Sequence, residues 1–219
     1  MKEFFNVLRK CILFNNISDE NLIALLGCLD AKVYSFEKKE VIIEEGEKAR
    51  YIGILLSGSA QIVRNDYFGN RSIVAGIKPS EMFCESFACA EADTVPVSVI
   101  ADKPCKVLLI DCHRIMHSCS HACEFHQQTI FNLMKTMAIK NILFHQKIQI
   151  TSNRTTREKL MAYLMLQAEY HKSNRFCIPF DRQELADYLQ VERSGLSAEI
   201  SKMRKEGIIK SNKKYFELL

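Results

Sequence analysis

The stretch "FDRQELADYLQVERSGLSAEISKMRKEGII", residues 180–209, decides the architecture of the C-terminal part of the chain. Asp181 is followed three residues later by Glu184, the spacing of a capping box, so a short first helix begins there. Its buried side is formed by Leu185, Ala186 and Leu189. The next three residues, "QVE", predict a tight turn that ends this helix.

A second helix is expected from Arg193 to about Glu206. Leu196, Ile200 and Met203, spaced by four and three residues, hold it on the core, and Gly207 ends it. Two short helices joined by a tight turn have the layout of a helix-turn-helix, whose second helix presents its N-terminal side chains to the major groove of DNA. The following "IIKSNKKYFELL" predicts two short strands around an Asn-Lys turn, the size of a wing.

The charge distribution agrees with a polyanion-binding module at this end of the chain. The net charge is only +4, but residues 151–219 contain 13 Lys and Arg against 9 Asp and Glu. All of the excess positive charge therefore lies beside the predicted helix-turn-helix.

Residues 30–111 have a different texture, with short apolar runs separated by turns. The runs are "AKVYSF", "EVIIE", "YIGILLSG", "SAQIVR", "RSIVAGIK", "VSVIA" and "CKVLLI". Each predicts a strand, and "EEGEKA", "RNDYFGN" and "ADKP" predict turns between them. Many short strands at this spacing indicate an antiparallel sandwich or barrel.

A long helix is expected over residues 122–150, which contain no Gly or Pro. It carries a heptad-like stripe typical of packing along another helix, with a polar residue that can set the register of a dimer. The stripe consists of Ile130, Met134, Met137, Asn141, Phe144 and Ile148. A helix that packs on its own barrel is the alternative.

In this order of elements the chain resembles the Crp/Fnr family of bacterial transcription regulators, along nearly its whole length. The resemblance implies an α+β fold with an N-terminal antiparallel, jelly-roll-like β-roll, a long dimerisation helix and a C-terminal winged helix-turn-helix. The corresponding ranges are 1–121 for the effector-binding domain, 122–150 for the helix and 151–219 for the DNA-binding domain. It also implies a homodimer that binds pseudo-palindromic DNA and works with RNA polymerase.

The resemblance places DNA contacts on both helices and on the wing. The expected set is Arg182, Gln183, Arg193, Ser194, Ser197, Lys202, Lys213 and Lys214, with Arg204 and Lys205 as further phosphate contacts. Arg193 suits bidentate pairing with guanine. Many family members carry an Arg five positions after it, where this chain has Ala198, so its operator is expected to differ from that of catabolite activator protein.

The sensor domain departs from the cyclic-AMP-binding members of the family. Glu85 stands where those members hold the ribose, but Val95 and Pro96 replace the Arg-Ser pair that neutralises the cyclic phosphate. A phosphate buried there would lack a charge partner. We therefore expect an unknown small-molecule effector other than cyclic AMP, in an apolar pocket that includes Glu85, Phe87, Val95 and Val97.

A segment rich in His and Cys, residues 112–126, leaves a second hypothesis open. His113, His117 and His121 are four residues apart, a helical spacing that suits zinc, and Cys119 and Cys123 are also four apart. A metal, haem or thiol-redox sensor is the alternative to an exposed polar helix. The N-terminal cysteine cluster of the iron–sulfur members is absent, and we assign no metal or cofactor.

Other features exclude several classes of function. There is no apolar run long enough to span a membrane and no signal peptide, so a cytoplasmic protein with free thiols is expected. There is no Gly-rich phosphate loop, and residues 30–110 contain no histidine, which disfavours a cupin-like enzyme. We expect no enzymatic activity.

Overall fold

The computed structural model describes residues 2–65, 71–117 and 124–219. The chain divides into two compact units, residues 1–138 and 139–219. Each unit has its own apolar core.

Short helices open the N-terminal unit. A 3₁₀ turn over Lys2–Phe4 leads into α1, Phe5–Leu8, and a second 3₁₀ turn over Ile12–Phe14 precedes α2, Asp19–Cys28. Ser18 caps α2 by accepting a hydrogen bond from the backbone N–H of Asn21, 3.4 Å away. Such a cap supplies one of the acceptors that the first turn of a helix lacks.

An antiparallel sheet of six strands follows. The elements are β1 (Lys32–Phe36), β2 (Val41–Ile43), β3 (Tyr51–Asn65), β4 (Arg71–Ile77), β5 (Met82–Phe83), α3 (Glu85–Cys89), β6 (Ser98–Asp111) and α4 (Cys112–Met116). The strand order is β1-β6-β3-β4, with β2 on β6 and β5 on β3. The α+β class with an antiparallel N-terminal sheet is thereby confirmed.

Two long strands replace four of the predicted short ones. The runs at 51–58 and 59–64 form the continuous β3, and those at 97–101 and 105–110 belong to β6, so the predicted turn "ADKP" was wrong. The pairing of β3 with β6 shifts register around Ser57–Ala60, where Gly58 adopts a φ of +80°. The polar residues and glycine thus mark a bulge inside a long strand pair rather than chain reversals. Most of the predicted turn "RNDYFGN" lies outside the described residues.

The first part of β3 is covered on both of its faces. Ile52, Ile54 and Leu56 of β3 join the cluster that contains the N-terminal helices, whereas Leu55 and Ala60 belong to a second cluster. Successive side chains of a strand point to opposite faces, so this part of β3 is buried on both sides.

The long helix α5 runs from Glu124 to Thr151, close to the expected 122–150. Its first half is tied to the N-terminal unit by Asn132. The Asn132 amide Nδ2 donates to the carbonyl oxygens of Leu13 and Asn15, at 3.0 and 2.8 Å. These bonds satisfy a side chain that is almost completely buried.

The C-terminal unit contains three further helices and a small sheet. They are α6 (Thr156–His171), β7 (Arg175–Cys177), α7 (Arg182–Leu189), α8 (Arg193–Lys205), β8 (Ile209–Asn212) and β9 (Tyr215–Leu218). The sheet is antiparallel with the order β7-β9-β8. Across the described ranges, none of the helices is long and apolar enough to cross a membrane.

Candidate functional site

The α7–turn–α8 segment has the geometry that the sequence predicted. Asp181 accepts from the backbone N–H of Glu184 at 2.9 Å, and the Glu184 carboxylate accepts from the backbone N–H of Asp181 at 2.6 Å. Gln190 ends α7 in the left-handed conformation, and the Val191 N–H returns to the Ala186 carbonyl at 3.0 Å. The reversal that separates the two helices is therefore closed by its own backbone hydrogen bonds.

One face of α8 anchors it to the core of the C-terminal unit. Leu196, Ile200 and Met203 are all buried. Gly207 follows the helix at a φ of +71°, and the Ile208 N–H bonds to the Met203 carbonyl at 3.0 Å. The helix ends in this way because a residue at positive φ lets the chain turn back over the last carbonyls.

The opposite face of α8 is exposed to solvent. Ser194, Ala198, Ser201 and Lys205 are exposed and recur at spacings of four, three and four residues, which places them in one row. Ser201 was not among the predicted DNA contacts, although the spacing opposite the buried residues places it in this exposed row. Ser197 lies beside this row and is half-buried.

Two arginines lie close together at the start of the two helices. Arg193 is exposed, and the pKa of Arg182 is lowered by burial and then by the positive charge of Arg193. The Nη1 atom of Arg182 is buried and has no hydrogen-bond partner among the described residues. An anion bound here would supply both the missing acceptor and the missing charge.

The other predicted DNA contacts differ in whether they already make hydrogen bonds within the protein. Gln183 is exposed, and its amide nitrogen donates to Asp187 at 2.8 Å. Lys202 and Lys213 are exposed, and Lys213 occupies the β8–β9 turn at a φ of +51°. The Lys214 ammonium donates to the Pro179 carbonyl at 2.6 Å, which leaves it two further protons for an anion.

The structure divides the predicted stripe of α5 into inward and outward residues. Ile130 and Met137 are partly buried against the core of the N-terminal unit. Met134, Phe144 and Ile148 are 63%, 65% and 60% exposed, and Asn141 is exposed as well. Further exposed apolar residues on α5 that the heptad pattern did not single out are Phe131, Ile139, Ile142 and Leu143.

Three of the four predicted effector-pocket residues belong to one buried cluster or pack on it. Val95 is buried, Phe87 and Val97 pack on the same cluster, and Glu85 is buried at the start of α3. Val95 also exchanges two backbone hydrogen bonds with the 46–47 turn. Positions 95 and 96 hold Val and Pro, and neither side chain can neutralise a cyclic phosphate.

A cavity of about 820 Å³ lies instead between α3, α4 and the turn before β3. Its walls are formed by Lys48, Ala49, Arg50, Ala88, Cys89, Glu91, Ala92, Asp93, Asp111, Cys112, His113, Met116 and His117. Arg50 donates two hydrogen bonds to Asp111, at 2.8 and 2.7 Å, across this wall. Both positive and negative side chains therefore line the cavity.

The described histidines of the His/Cys segment are His113, His117 and His126. The rings of His113 and His117 stack with centroids 3.8 Å apart, and Nε2 of His126 lies 3.0 Å from the Ile115 carbonyl oxygen. In the described part of the chain, no group of three or more His, Cys, Asp or Glu side chains could hold a metal ion. His121, Cys119 and Cys123 of the predicted cluster lie outside the described residues.

An antiparallel sensor-type domain, a long helix and a winged helix-turn-helix in this order define a DNA-binding transcription regulator. Two family models match accordingly. The cyclic nucleotide-binding domain matches residues 33–121, and the Crp-like helix-turn-helix domain matches residues 158–219. The chain belongs to the Crp/Fnr family of transcription regulators.

Solved structures share the fold at low sequence identity. The catabolite activator protein of Thermus thermophilus is 17% identical, with a TM-score of 0.50 over 95% of this chain and 93% of that one. The regulator CLP of Xanthomonas campestris, described as responsive to c-di-GMP, is 14% identical, with a TM-score of 0.55 over 91% and 99%. The sensor domain of DNR from Pseudomonas aeruginosa is 18% identical, with a TM-score of 0.52 over 68% and 91%. Among curated proteins, no sequence matches this chain.

Proposed function

We propose that this regulator is a homodimer that binds a pseudo-palindromic operator through α8, under the control of an effector other than cyclic AMP. In this proposal residues 1–121 bind the effector, residues 122–150 form the dimerisation helix and residues 151–219 bind DNA. RNA polymerase is the expected further partner at the promoter.

The DNA-binding proposal rests on the polar and basic side chains at the N-terminal ends of α7 and α8. Arg193 and Ser194 stand exposed at the start of α8, where a recognition helix presents side chains to base edges. The Nη1 atom of Arg182, which has no hydrogen-bond partner among the described residues, lies nearby and suits a phosphate oxygen. Lys213 extends the same basic surface onto the wing, so base contacts and phosphate contacts are both available.

The outward apolar residues of α5 support the dimer. Met134, Phe144 and Ile148 remain more than half exposed although they are large and apolar. Such a row on one helix is stabilised when it is covered, and the exposed Asn141 within it can pair with itself across a two-fold axis. We therefore assign a second copy of this chain to this face of α5.

The experiment that tests the proposal is selection of duplexes from a random pool, followed by titration of the selected duplex at increasing salt. We expect a selected motif with two-fold symmetry and binding that weakens steeply with salt, since each phosphate contact releases counterions. Arg193→Ala should lose about 1–3 kcal/mol of binding free energy, a factor of about 5–150, and relax the preference at one base pair of each half-site.

The matched control is Lys38→Ala, which removes one exposed positive charge from the N-terminal unit. It should change neither the selected motif nor the affinity at physiological salt. The proposal fails if the pool yields no motif, or if Arg193→Ala discriminates between bases as well as the unaltered protein does.

A further inference from the structure

Two cysteines that are far apart in sequence meet at the wall of the cavity beside α3. Cys89 is the last residue of α3 and Cys112 the first of α4, and their Sγ atoms are 3.6 Å apart. A disulfide has an S–S distance of about 2.05 Å, so the two sulfurs need to approach by roughly 1.5 Å. Each cysteine stands at an end of a five-residue helix, where a small shift of the side chain and its backbone is least costly.

We propose that Cys89 and Cys112 are a reversible oxidation site that reacts with hydroperoxides and closes into a disulfide. Both side chains line the 820 Å³ cavity, which is large enough to admit a small peroxide. The proposal concerns the N-terminal unit alone and stands independently of DNA binding.

The two thiols are not equivalent, and the difference assigns their roles. Cys89 is half-buried, whereas Cys112 is almost completely buried. The pKa of Cys89 is lowered by the hydrogen bond from the Cys112 thiol, against the opposing effects of burial and of the Glu85 charge. The pKa of Cys112 is raised by donating that hydrogen bond and by burial. Cys89 is therefore the attacking thiolate, because a thiolate is the nucleophile and Cys89 is the more accessible sulfur.

The reaction balances in two steps. The Cys89 thiolate attacks one oxygen of hydrogen peroxide, so that an S–O bond forms, the O–O bond breaks and hydroxide leaves to become water. The Cys112 sulfur then attacks the resulting sulfenic acid, so that an S–S bond forms, the S–O bond breaks and a second water leaves. Overall two thiols lose two electrons and two protons, and one hydrogen peroxide is reduced to two water molecules.

Two other described cysteines of the same unit, Cys11 and Cys84, have the opposite shift in pKa from Cys89. Burial raises the pKa of Cys11 to about 11 and that of Cys84 to about 12, so both remain protonated thiols. Closure of the Cys89–Cys112 bond would join α3, which carries Glu85 and Phe87, to the helix that follows β6. Oxidation would thus hold the wall of the sensor domain in one arrangement.

Peptide mapping of the full chain tests the proposal directly. Reduced protein is exposed to a small excess of hydrogen peroxide, alkylated, and cut with trypsin and Glu-C. Cleavage after Glu85 and Glu91 releases Ser86–Glu91, and cleavage after Lys106 and Arg114 releases Val107–Arg114; each peptide contains a single cysteine. We expect these two peptides joined, two hydrogen atoms lighter than their sum, and separated again by a reductant.

Variants separate the roles of the two sulfurs. Cys89→Ser should abolish the joined peptides, and Cys112→Ser should accumulate a sulfenic acid at Cys89 that dimedone traps. Cys177→Ser removes an exposed thiol of the other unit and should leave the cross-link unchanged.

Two results would overturn the proposal. One is that both peptides are recovered alkylated and unlinked from folded, peroxide-treated protein. The other is that Cys89 is joined to the peptide of a different cysteine. If circular dichroism shows that Cys112→Ser does not fold, the unaltered protein and Cys89→Ser still decide between these outcomes.

Discussion

Replacement of Gly53 by alanine tests how tightly α3 is held against the sheet. Gly53 of β3 pairs with Phe83 of β5, and a Cβ atom at Gly53 would lie 2.1 Å from Cζ and 2.2 Å from Cε2 of the Phe83 ring. Ordinary carbon contacts are about 3.5–4.0 Å, so the ring edge would need to retreat by roughly 1.5 Å. Phe83 is only 2% exposed, and Cys84, the residue after it, is the N-cap of α3.

The expected cost follows from this overlap. Adding one methyl group to a filled core forces side chains off their preferred positions and costs about 1–3 kcal/mol. Gly53→Ala should therefore lower the free energy of unfolding of the N-terminal unit by this amount. Gly76→Ala is the matched control, because no atom lies within 4 Å of its added Cβ and its φ is not positive. It should be neutral or raise stability by up to about 1 kcal/mol, since alanine restricts the unfolded chain.

Calorimetry and urea unfolding followed by circular dichroism measure these differences, since the chain contains no tryptophan. A double-mutant cycle identifies the cause. Phe83→Ala alone should cost about 3–5 kcal/mol, but Gly53→Ala should cost almost nothing in that background, because the ring it displaces is gone. Equal losses from Gly53→Ala in both backgrounds, or equal stability of Gly53→Ala and Gly76→Ala, would refute the steric argument.

Four further predictions concern the dimer, the caps and the sensor. Phe144→Asp should weaken self-association at least about tenfold in sedimentation experiments, because it places a charge in the apolar face of α5, whereas Ile73→Asp on β4 should leave it unchanged. Asp181→Ala removes one acceptor of the α7 capping box and should cost the C-terminal unit about 1 kcal/mol in urea unfolding; no loss would mean that the cap is dispensable. Cyclic AMP should not shift the thermal midpoint, since Val95 and Pro96 replace the Arg-Ser pair that would neutralise its phosphate and a ligand that does not bind cannot stabilise the fold; an increase would contradict this. Hydrogen bonds from Thr155 lower the pKa of Glu158, so its contribution to stability is complete above the unfolded value of about 4.3 and disappears as the pH falls through the folded pKa; Glu158→Gln should remove this component of the acid-range slope.

The predictions that rested on local patterns are the ones that the structure confirms. The capping box at Asp181, the buried row on α8 and the stop at Gly207 each depend on residues within four positions of one another. Helix caps and helical faces are set by such short spacings, so the helix-turn-helix was visible in the sequence. The long helix α5, Glu124–Thr151, overlaps the range expected from the absence of Gly and Pro.

The strand boundaries illustrate where local patterns fail. "ADKP" has the composition of a turn, yet these residues continue β6, because Ala60 and Ser59 of β3 pair with Ala101 and Lys103 and a bulge at Gly58 absorbs the irregularity. Whether a glycine or proline ends a strand or bends it depends on the strand opposite, and that strand is about 40 residues away in the chain. The heptad spacing of α5 likewise did not reveal which residues of the stripe face inward. Ile130 and Met137 pack against the core of the N-terminal unit.

The sequence by itself determined the class of protein and the position of the helix-turn-helix, since each follows from the identity and spacing of neighbouring residues. Only the tertiary structure decided which apolar residues of α5 are exposed, that Val95 lies in a buried cluster on which Phe87 and Val97 pack, and that Cys89 meets Cys112. These last two thiols are 23 residues apart, on two different short helices. Their contact follows from the packing of α3 against α4 at the end of β6, which no local spacing encodes.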